Sequence, residues 1–282
     1  THTRSSAASD VYKRQEVKGS KRWLDLMFLP RFQPVEIVKP FFIVSLSLML
    51  TIPNRRLYFK YLISVLLILP ILMLLVYQPD IGQTLLISMV WLALIFISGI
   101  NIFIFFIFFL FIGSTVSYLV LFVTKFEYIK IRLFAFLDSS SGNNYQAEKA
   151  SDAIINGGFF GKGIGEGTLN SRVPEAHTDY IVSVISEEFG AIIVIGILFL
   201  YLIFSYRVIR KINFLNEDLS KLILSGCISL ILIQTFIHVG VNIRILPTTG
   251  MTLPFLSYGG SSIVSTAILS GLILNLTKRK LD

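Results

Sequence analysis

The 282-residue chain is dominated by apolar side chains: 54% of its residues are hydrophobic, 24 are Phe, and only 15% are charged. With a mean hydropathy of +0.74, this composition excludes an ordinary soluble domain and predicts an integral membrane protein. The single cysteine, Cys227, excludes an intrachain disulfide framework, and the net charge of +8 makes the placement of Lys and Arg informative.

Residues 1–15, THTRSSAASDVYKRQ, are small and polar and lack an initiating Met. This composition predicts a leader that is disordered or foreign to the native protein. Residues 16–282 are then interpreted as one membrane domain. No signal peptide pattern occurs in the chain.

Apolar stretches long enough to cross a bilayer follow the leader, since about 20 helical residues span the hydrocarbon. They predict an all-α polytopic membrane protein with seven transmembrane helices, at 35–52, 57–77, 84–100, 101–124, 179–206, 219–243 and 258–277. Basic residues in short loops concentrate on the cytoplasmic side. The basic residues at 55–60, 207–221 and 278–280 therefore predict that these three segments lie in the cytoplasm. Residues 125–178 are then predicted to form a large extracytoplasmic loop. An odd number of spans with the amino end outside predicts further helices upstream.

The extracytoplasmic loop is basic and rich in glycine. Its positive charge predicts attraction of an anionic partner at the outer surface, with phosphate-bearing lipids as candidates and plain solvated charge as the alternative. Its glycines lie at 157, 158, 161, 163, 165 and 167. Without a preceding strand they do not indicate a dinucleotide site; they favour a flexible loop whose backbone approaches a substrate.

Two later spans carry polar stripes at helical spacing. The first contains Asp179, Ser183, Ser186 and Gly190, with Glu187 beside it, and the second contains Gln234, His238 and Asn242. Such stripes face a bundle interior or a water-filled cleft. The alternative for Asp179 is an N-terminal cap or a partner of the helix dipole. For the second stripe the alternative is hydrogen bonding between helices. No recognisable metal-ligand cluster surrounds His177 or His238.

The stretch from Ile245 to Ser262, ILPTTGMTLPFLSYGGSS, interrupts apolar sequence with two prolines, three glycines and several hydroxyls. Broken backbone at membrane depth is tolerated only against protein or a water-lined cavity. A final helix beginning near Gly260 would point its N-terminal amides toward the outer side, which predicts an anion site. Packing of a re-entrant loop without a ligand is the alternative.

Several separated motifs together resemble the SEDS family of membrane proteins, the group of FtsW, RodA and SpoVE. They are VKGSKRWL, FQPVEIVK, QPDIGQTLL, GGFFGKGIGEG, PEAHTDYIVSVISEEFG and LPTTGMTLPFLSYGGSS. Their order and spacing extend from Val17 to Lys280, which is more specific than any one motif. The PEAHTD, QPDIGQT and TLPFLSYGGSS segments are more similar to the cell-division branch of the family than to the elongation branch.

The resemblance implies a ten-span fold of which this chain has the last seven spans, with three missing at the amino end. It implies polymerisation of lipid II, the undecaprenyl-diphosphate-linked disaccharide-pentapeptide, at the division septum of the bacterial inner membrane. It also implies a class B penicillin-binding protein (FtsI-like) and divisome proteins as partners. The resemblance implies that Asp179, in the HTD motif, is the catalytic aspartate. It also places Glu36 and Lys39 on the family's QPSE-x-x-K motif, with Val35 in place of the serine. The chain also departs from the family pattern at His238 and Arg244.

Glycosyl transfer from a diphosphate needs a base for the attacking hydroxyl and positive charge for the leaving group. The hypothesis is that Asp179 is the general base. The predicted substrate-binding residues are Lys39, Glu36, Arg22, His177, Glu175, Ser257, Gly259, Gly260 and Ser261. A divalent cation, Mg²⁺ or Mn²⁺, is the one cofactor considered, and no nucleic-acid partner is predicted. The alternatives are a lipid II flippase or transporter, an elongation-type (RodA-type) polymerase, and a scaffold that recruits a transpeptidase.

Overall fold

The structure is a computed structural model that describes residues 24–26, 29–53, 56–78, 80–127, 130, 131, 134, 136, 145–167 and 176–278. The predicted leader lies outside these residues. A short antiparallel strand pair, β1 (Leu24–Leu26) and β2 (Leu29–Phe32), precedes the helices, with Leu24 opposite Phe32. The helices are α1 (Pro34–Thr51), α2 (Leu57–Tyr77), α3 (Ile81–Ile97), α4 (Ile102–Phe122), α5 (Tyr145–Gly157), α6 (Ile181–Phe189), α7 (Ala191–Ile212), α8 (Asp218–Asn242) and α9 (Gly260–Thr277).

The predicted all-α polytopic architecture is confirmed. Within the described residues, six helices are long and apolar enough to cross a membrane: α1, α2, α4, α7, α8 and α9. Helix α3 is an apolar helix of 17 residues. The predicted spans agree with these helices to within a few residues, except for the fifth. Sequence length and hydropathy suffice here because both are set by the thickness of the hydrocarbon.

Helix α8 is the centre of the bundle. Its most apolar 18-residue window is 72% buried, compared with 6% for α4, and α8 packs against α1, α3, α7 and α9. At Gly226 a side chain would overlap Ile43 of α1 and crowd Leu94 of α3. The missing side chain therefore allows three helices to meet closely, as small residues do in membrane bundles. The exposed apolar surface of α4 is left to face lipid.

The fifth predicted span, residues 179–206, is wrong as a single helix. It is divided into α6 and α7 by Gly190, whose φ of 85° and ψ of 167° are accessible essentially to glycine alone. Asp179 precedes α6, and Tyr180 occupies the N-cap position without a side-chain cap bond. Asp179 therefore lies one residue before the N-cap position of α6.

Helix α5 was not predicted, because its segment looks like a polar loop. Its stability comes from Ala147, Ala150 and Ala153, which are buried at a spacing of three residues and pack α5 against α6. Small residues at i and i+3 form a narrow helix face. An alanine stripe of this kind has low hydropathy and is hard to separate from loop sequence.

Candidate functional site

Residues 243–259, here called the re-entrant loop, return from the end of α8 into the bundle. The Gln234 amide donates to the Thr252 carbonyl oxygen over 2.8 Å, and the Tyr201 hydroxyl donates to the Pro254 carbonyl oxygen. Gln234 lies eight residues before the last residue of α8, which is about 12 Å along the helix axis. The loop backbone thus reaches membrane depth, and protein side chains satisfy its carbonyl groups there, as the absence of water in hydrocarbon requires.

A buried ion pair lies beside the re-entrant loop. Lys39 Nζ donates to Glu36 Oε1 over 2.7 Å and to Gln234 Oε1 over 3.3 Å. Gln83 of α3 donates to the same Glu36 oxygen over 3.1 Å. Lys39 is 1% exposed and Glu36 is 4% exposed. Charges taken this far from water need close pairing and further hydrogen bonds, and α1, α3 and α8 supply them together.

Residues 176–180, here called the Asp179 segment, are held by backbone contacts to the re-entrant loop and α8. Ser257 Oγ donates to the Thr178 carbonyl oxygen over 2.7 Å, and the Tyr258 N–H donates to the His177 carbonyl oxygen over 2.9 Å. Ser257 Oγ also accepts a hydrogen bond from the Leu253 N–H. A single buried hydroxyl therefore joins the inner part of the loop to the segment that carries the aspartate.

Asn242, the last residue of α8, completes this attachment. Its Nδ2 donates to the carbonyl oxygens of Asp179 and His238 over 3.2 Å and 2.8 Å. Its Oδ1 accepts from the backbone N–H and the hydroxyl of Ser183. Asn242 is fully buried, so all four hydrogen-bonding positions of its side chain are used. The two predicted polar stripes thus meet inside the bundle, with Asp179 at their outer end.

The Asp179 carboxylate lies against Gly250 of the re-entrant loop. Gly250 has a φ of 70°, and a Cβ placed on it would be 3.5 Å from Asp179 Oδ2. The Asp179 side chain is neither buried nor fully exposed. Gly82 of α3 packs closely against Met251 and Thr249, the two neighbours of Gly250 in the loop. The loop therefore contacts both the QPDIGQT segment and the aspartate.

The other predicted site residues have different positions. Ser257 and Ser261 are buried, whereas His177 is exposed. Gly259 is the N-cap of α9 and Gly260 is its first residue, as predicted. Arg22 and Glu175 lie outside the described residues. The roles of these residues in substrate binding stay predictions.

The glycine-rich segment 157–163 contacts protein rather than open space at two of its glycines. A side chain at Gly157 would overlap the Ser186 carbonyl, and one at Gly161 would overlap the Glu188 carbonyl. The N–H groups of Lys162 and Gly163 donate to the carbonyl oxygens of Glu187 and Glu188. These glycines therefore permit close contact between two backbone segments of the protein. The sequence had predicted instead that their backbone approaches a substrate.

Three polar groups in or near the site were not singled out by their sequence pattern. Asp80 caps α3 by accepting from the Gln83 N–H, and Gln83 in turn reaches Glu36. Asn156 of α5 donates to Glu187, a fully buried carboxylate. An Asp three residues before a Gln at the start of an apolar run is a cap signal that could have identified the first pair.

Across the described parts of the chain, no three His, Cys, Asp or Glu side chains come together as a metal-ion site. Mg²⁺ in proteins is commonly held by one or two carboxylates together with substrate phosphates. The Mg²⁺ or Mn²⁺ considered above stays a prediction. The diphosphate of a substrate would have to supply several of its ligands.

Fold and site together define a multi-pass α-helical membrane protein with a re-entrant loop beside a carboxylate. Residues 10–281 match the model of the FtsW/RodA/SpoVE family, described as cell cycle proteins. The chain belongs to this family.

Curated relatives support the assignment. The chain is 33% identical over 272 residues to the "Probable peptidoglycan glycosyltransferase FtsW" of Caulobacter vibrioides, covering 93% of this chain and 67% of the relative. The proteins of the same name from Enterococcus hirae and Trichlorobacter lovleyi are 33% and 34% identical, and 70% of each is covered.

Solved structures show the same fold. One chain of a peptidoglycan synthase complex, studied for the coordination of polymerization and crosslinking, superposes with a TM-score of 0.74 at 26% identity. The match covers 98% of this chain and 78% of that one. The rod shape determining protein RodA of Thermus thermophilus superposes with a TM-score of 0.66 at 24% identity, covering 98% and 75%.

Proposed function

We propose that the protein is a peptidoglycan glycosyltransferase that polymerises lipid II into glycan strands at the division septum of the bacterial inner membrane. Its relatives carry the glycosyltransferase name, and those named above are of the FtsW type. The observation that carries the proposal is the position of Asp179. Its carboxylate is partly exposed at the outer end of the bundle, while its backbone is hydrogen-bonded to buried Asn242.

In the proposed reaction the Asp179 carboxylate takes the proton from the acceptor sugar hydroxyl. The hydroxyl oxygen bonds to the anomeric carbon of the donor sugar as the bond from that carbon to the diphosphate breaks. Undecaprenyl diphosphate leaves with the electron pair. Lys39, Arg22 and the basic outer loop are proposed to stabilise the negative charge that develops on it.

Rigid placement of the base is what the surrounding hydrogen bonds would contribute. Misplacement of a catalytic group by about 1 Å can cost about 100-fold in rate. The Thr178 carbonyl is bound by Ser257 and the Asp179 carbonyl by Asn242. Gly250, which lies next to the carboxylate, has a φ of 70° that favours glycine.

The test compares Asp179→Asn with Asp152→Asn in the purified protein supplied with labelled lipid II. Asp152 is a matched control, because it is an exposed acid of α5 paired with Lys149. Loss of a general base should lower polymerisation by about 100- to 10,000-fold at unchanged thermal stability, and Asp152→Asn should behave as wild type. Wild-type polymer yield from Asp179→Asn would refute the assignment. Leaflet transfer without polymer in the wild type would favour the transporter alternative.

The proposed partner is a class B penicillin-binding protein that supplies crosslinking. The support is the similarity to a chain of a peptidoglycan synthase complex, together with the family resemblance. Divisome proteins are proposed as further partners. Co-purification of the native protein with its class B penicillin-binding protein tests the first of these partners.

A further inference from the structure

Large apolar side chains are exposed near the end of α5, in the glycine-rich segment and in the residue that follows it. Phe159 and Phe160 are 72% and 86% exposed, and Ile155 and Ile164 are 75% and 79% exposed. Lys162 lies between them in sequence and is exposed. Exposed apolar groups concentrated in this way mark a surface that contacts a partner or a membrane. The proposed function assigns no role to them.

Backbone hydrogen bonds attach this segment to the start of a membrane-crossing helix. The N–H of Ala191, the first residue of α7, donates to the Gly158 carbonyl oxygen over 2.9 Å. The N–H of Ile192 donates to the Phe159 carbonyl oxygen over 3.4 Å. The two aromatic residues therefore lie level with the first turn of α7, where Ile192 is itself exposed.

The sequence of α7 indicates the depth of that turn. Its inner end is marked by exposed Tyr206 and Arg207, residue types typical of the membrane boundary. A hydrocarbon layer of about 30 Å corresponds to about 20 helical residues, which puts the outer boundary near residue 187. Ala191 lies inward of that position, so the start of α7 is at or just within the hydrocarbon.

The hydrogen bonding at the helix break agrees with this depth. The first N–H groups of a helix lack intrahelical partners, and in water the solvent can satisfy them. Within the hydrocarbon, protein groups must satisfy these N–H groups instead. The carbonyl groups of residues 158 and 159 accept hydrogen bonds from the first two N–H groups of α7. The carbonyl groups of Glu187 and Glu188 are likewise satisfied by the N–H groups of Lys162 and Gly163.

We infer that Phe159 and Phe160 insert into the outer leaflet and anchor the extracytoplasmic loop to the lipid surface. The occupant of this apolar surface is lipid because the surface is continuous with the lipid-facing side of α7. Exposed Lys162 would reach the headgroup phosphates, as basic residues at interfaces do. Since α5 packs on α6, the anchor would hold the Asp179 segment at a constant height above the bilayer.

The experiment measures the lipid exposure of these residues in the full chain. Cys227 is replaced by Ala, and single cysteines at positions 160, 195 and 152 are spin-labelled in vesicles of phosphatidylethanolamine and phosphatidylglycerol. Ile195 of α7 is the lipid-facing control, and Asp152 of α5 is the water-facing one. The collision rates of each label with oxygen, which partitions into lipid, and with a water-soluble nickel complex are compared.

The expected result is an oxygen-to-nickel ratio for Phe160→Cys that is several-fold above that of Asp152→Cys and close to that of Ile195→Cys. A ratio equal to that of Asp152→Cys would overturn the inference. So would protection from both reagents, since it would mean that protein covers the residue. Phe159→Cys is the second variant should the first fail to fold. The readout is independent of polymerisation, so it stands apart from the proposed enzyme activity.

Discussion

Replacing Lys39 by Met should destabilise the bundle strongly, because the Glu36 carboxylate stays buried and loses the cation that pairs with it. Among the described residues, the side chain of Gln83 still donates a hydrogen bond to this carboxylate. The Nζ to Oε1 distance of 2.7 Å corresponds to an attraction of about 6 kcal/mol at an effective dielectric constant of about 20. Desolvation offsets part of this attraction. Removing one partner of a buried pair costs about 3–5 kcal/mol, and this is the loss expected in the free energy of unfolding.

The double variant Glu36→Gln/Lys39→Met is the matched control. With both charges removed and similar volume retained, most of the lost stability should return. Unfolding in mixed micelles titrated with SDS gives the free energies, and lipid II polymerisation is measured on the same samples. If Lys39 also stabilises the diphosphate, the double variant recovers stability without recovering activity. A single variant as stable as wild type, or a double variant no more stable than the single one, would refute the reasoning.

Three further predictions concern the backbone around the site. Asn242→Ala leaves buried polar groups unpaired, so we expect a loss of about 1–3 kcal/mol and a lower kcat at nearly constant KM; wild-type kinetics would contradict the positioning role. Gly190→Ala should cost at least about 2 kcal/mol, because φ is 85° there and the new Cβ overlaps Phe159. Gly196→Ala, with open space around it, should be neutral or stabilising in the same unfolding assay. Arg244 has a φ of 59°, so Arg244→Gly should stabilise by about 1 kcal/mol; a lower unfolding midpoint would count against relief of strain.

The membrane architecture could be predicted closely from sequence. Span positions follow from hydrocarbon thickness, a constraint that acts on each helix separately. The interrupted segment before α9 was also identifiable, since prolines and glycines in apolar sequence break a helix wherever it lies. The same reasoning indicated Asp179 as a candidate, because a carboxylate beside an apolar span is costly unless it has a role.

Helix α5 and the break at Gly190 could not be predicted, because neither has a local cause. Gly190 lies inside a mostly apolar segment, just after Glu187 and Glu188, and an isolated glycine is tolerated within a helix. The break is stable because residues 158–163 satisfy the backbone groups that it exposes. That docking joins segments about 30 residues apart and has no periodic signature.

The sequence by itself determined that this is a helical membrane protein, which family it resembles, and which carboxylate is the candidate base. Each of these depends on composition or on motifs read along one segment. Only the tertiary structure decided the partners of Lys39, which come from α1 and from Gln234 of α8, 195 residues away. It alone brought Gly250 against Asp179 and the glycine-rich segment against α7. The physical reason is that hydropathy acts residue by residue, whereas burying a charge or a broken helix end requires polar partners from distant parts of the chain.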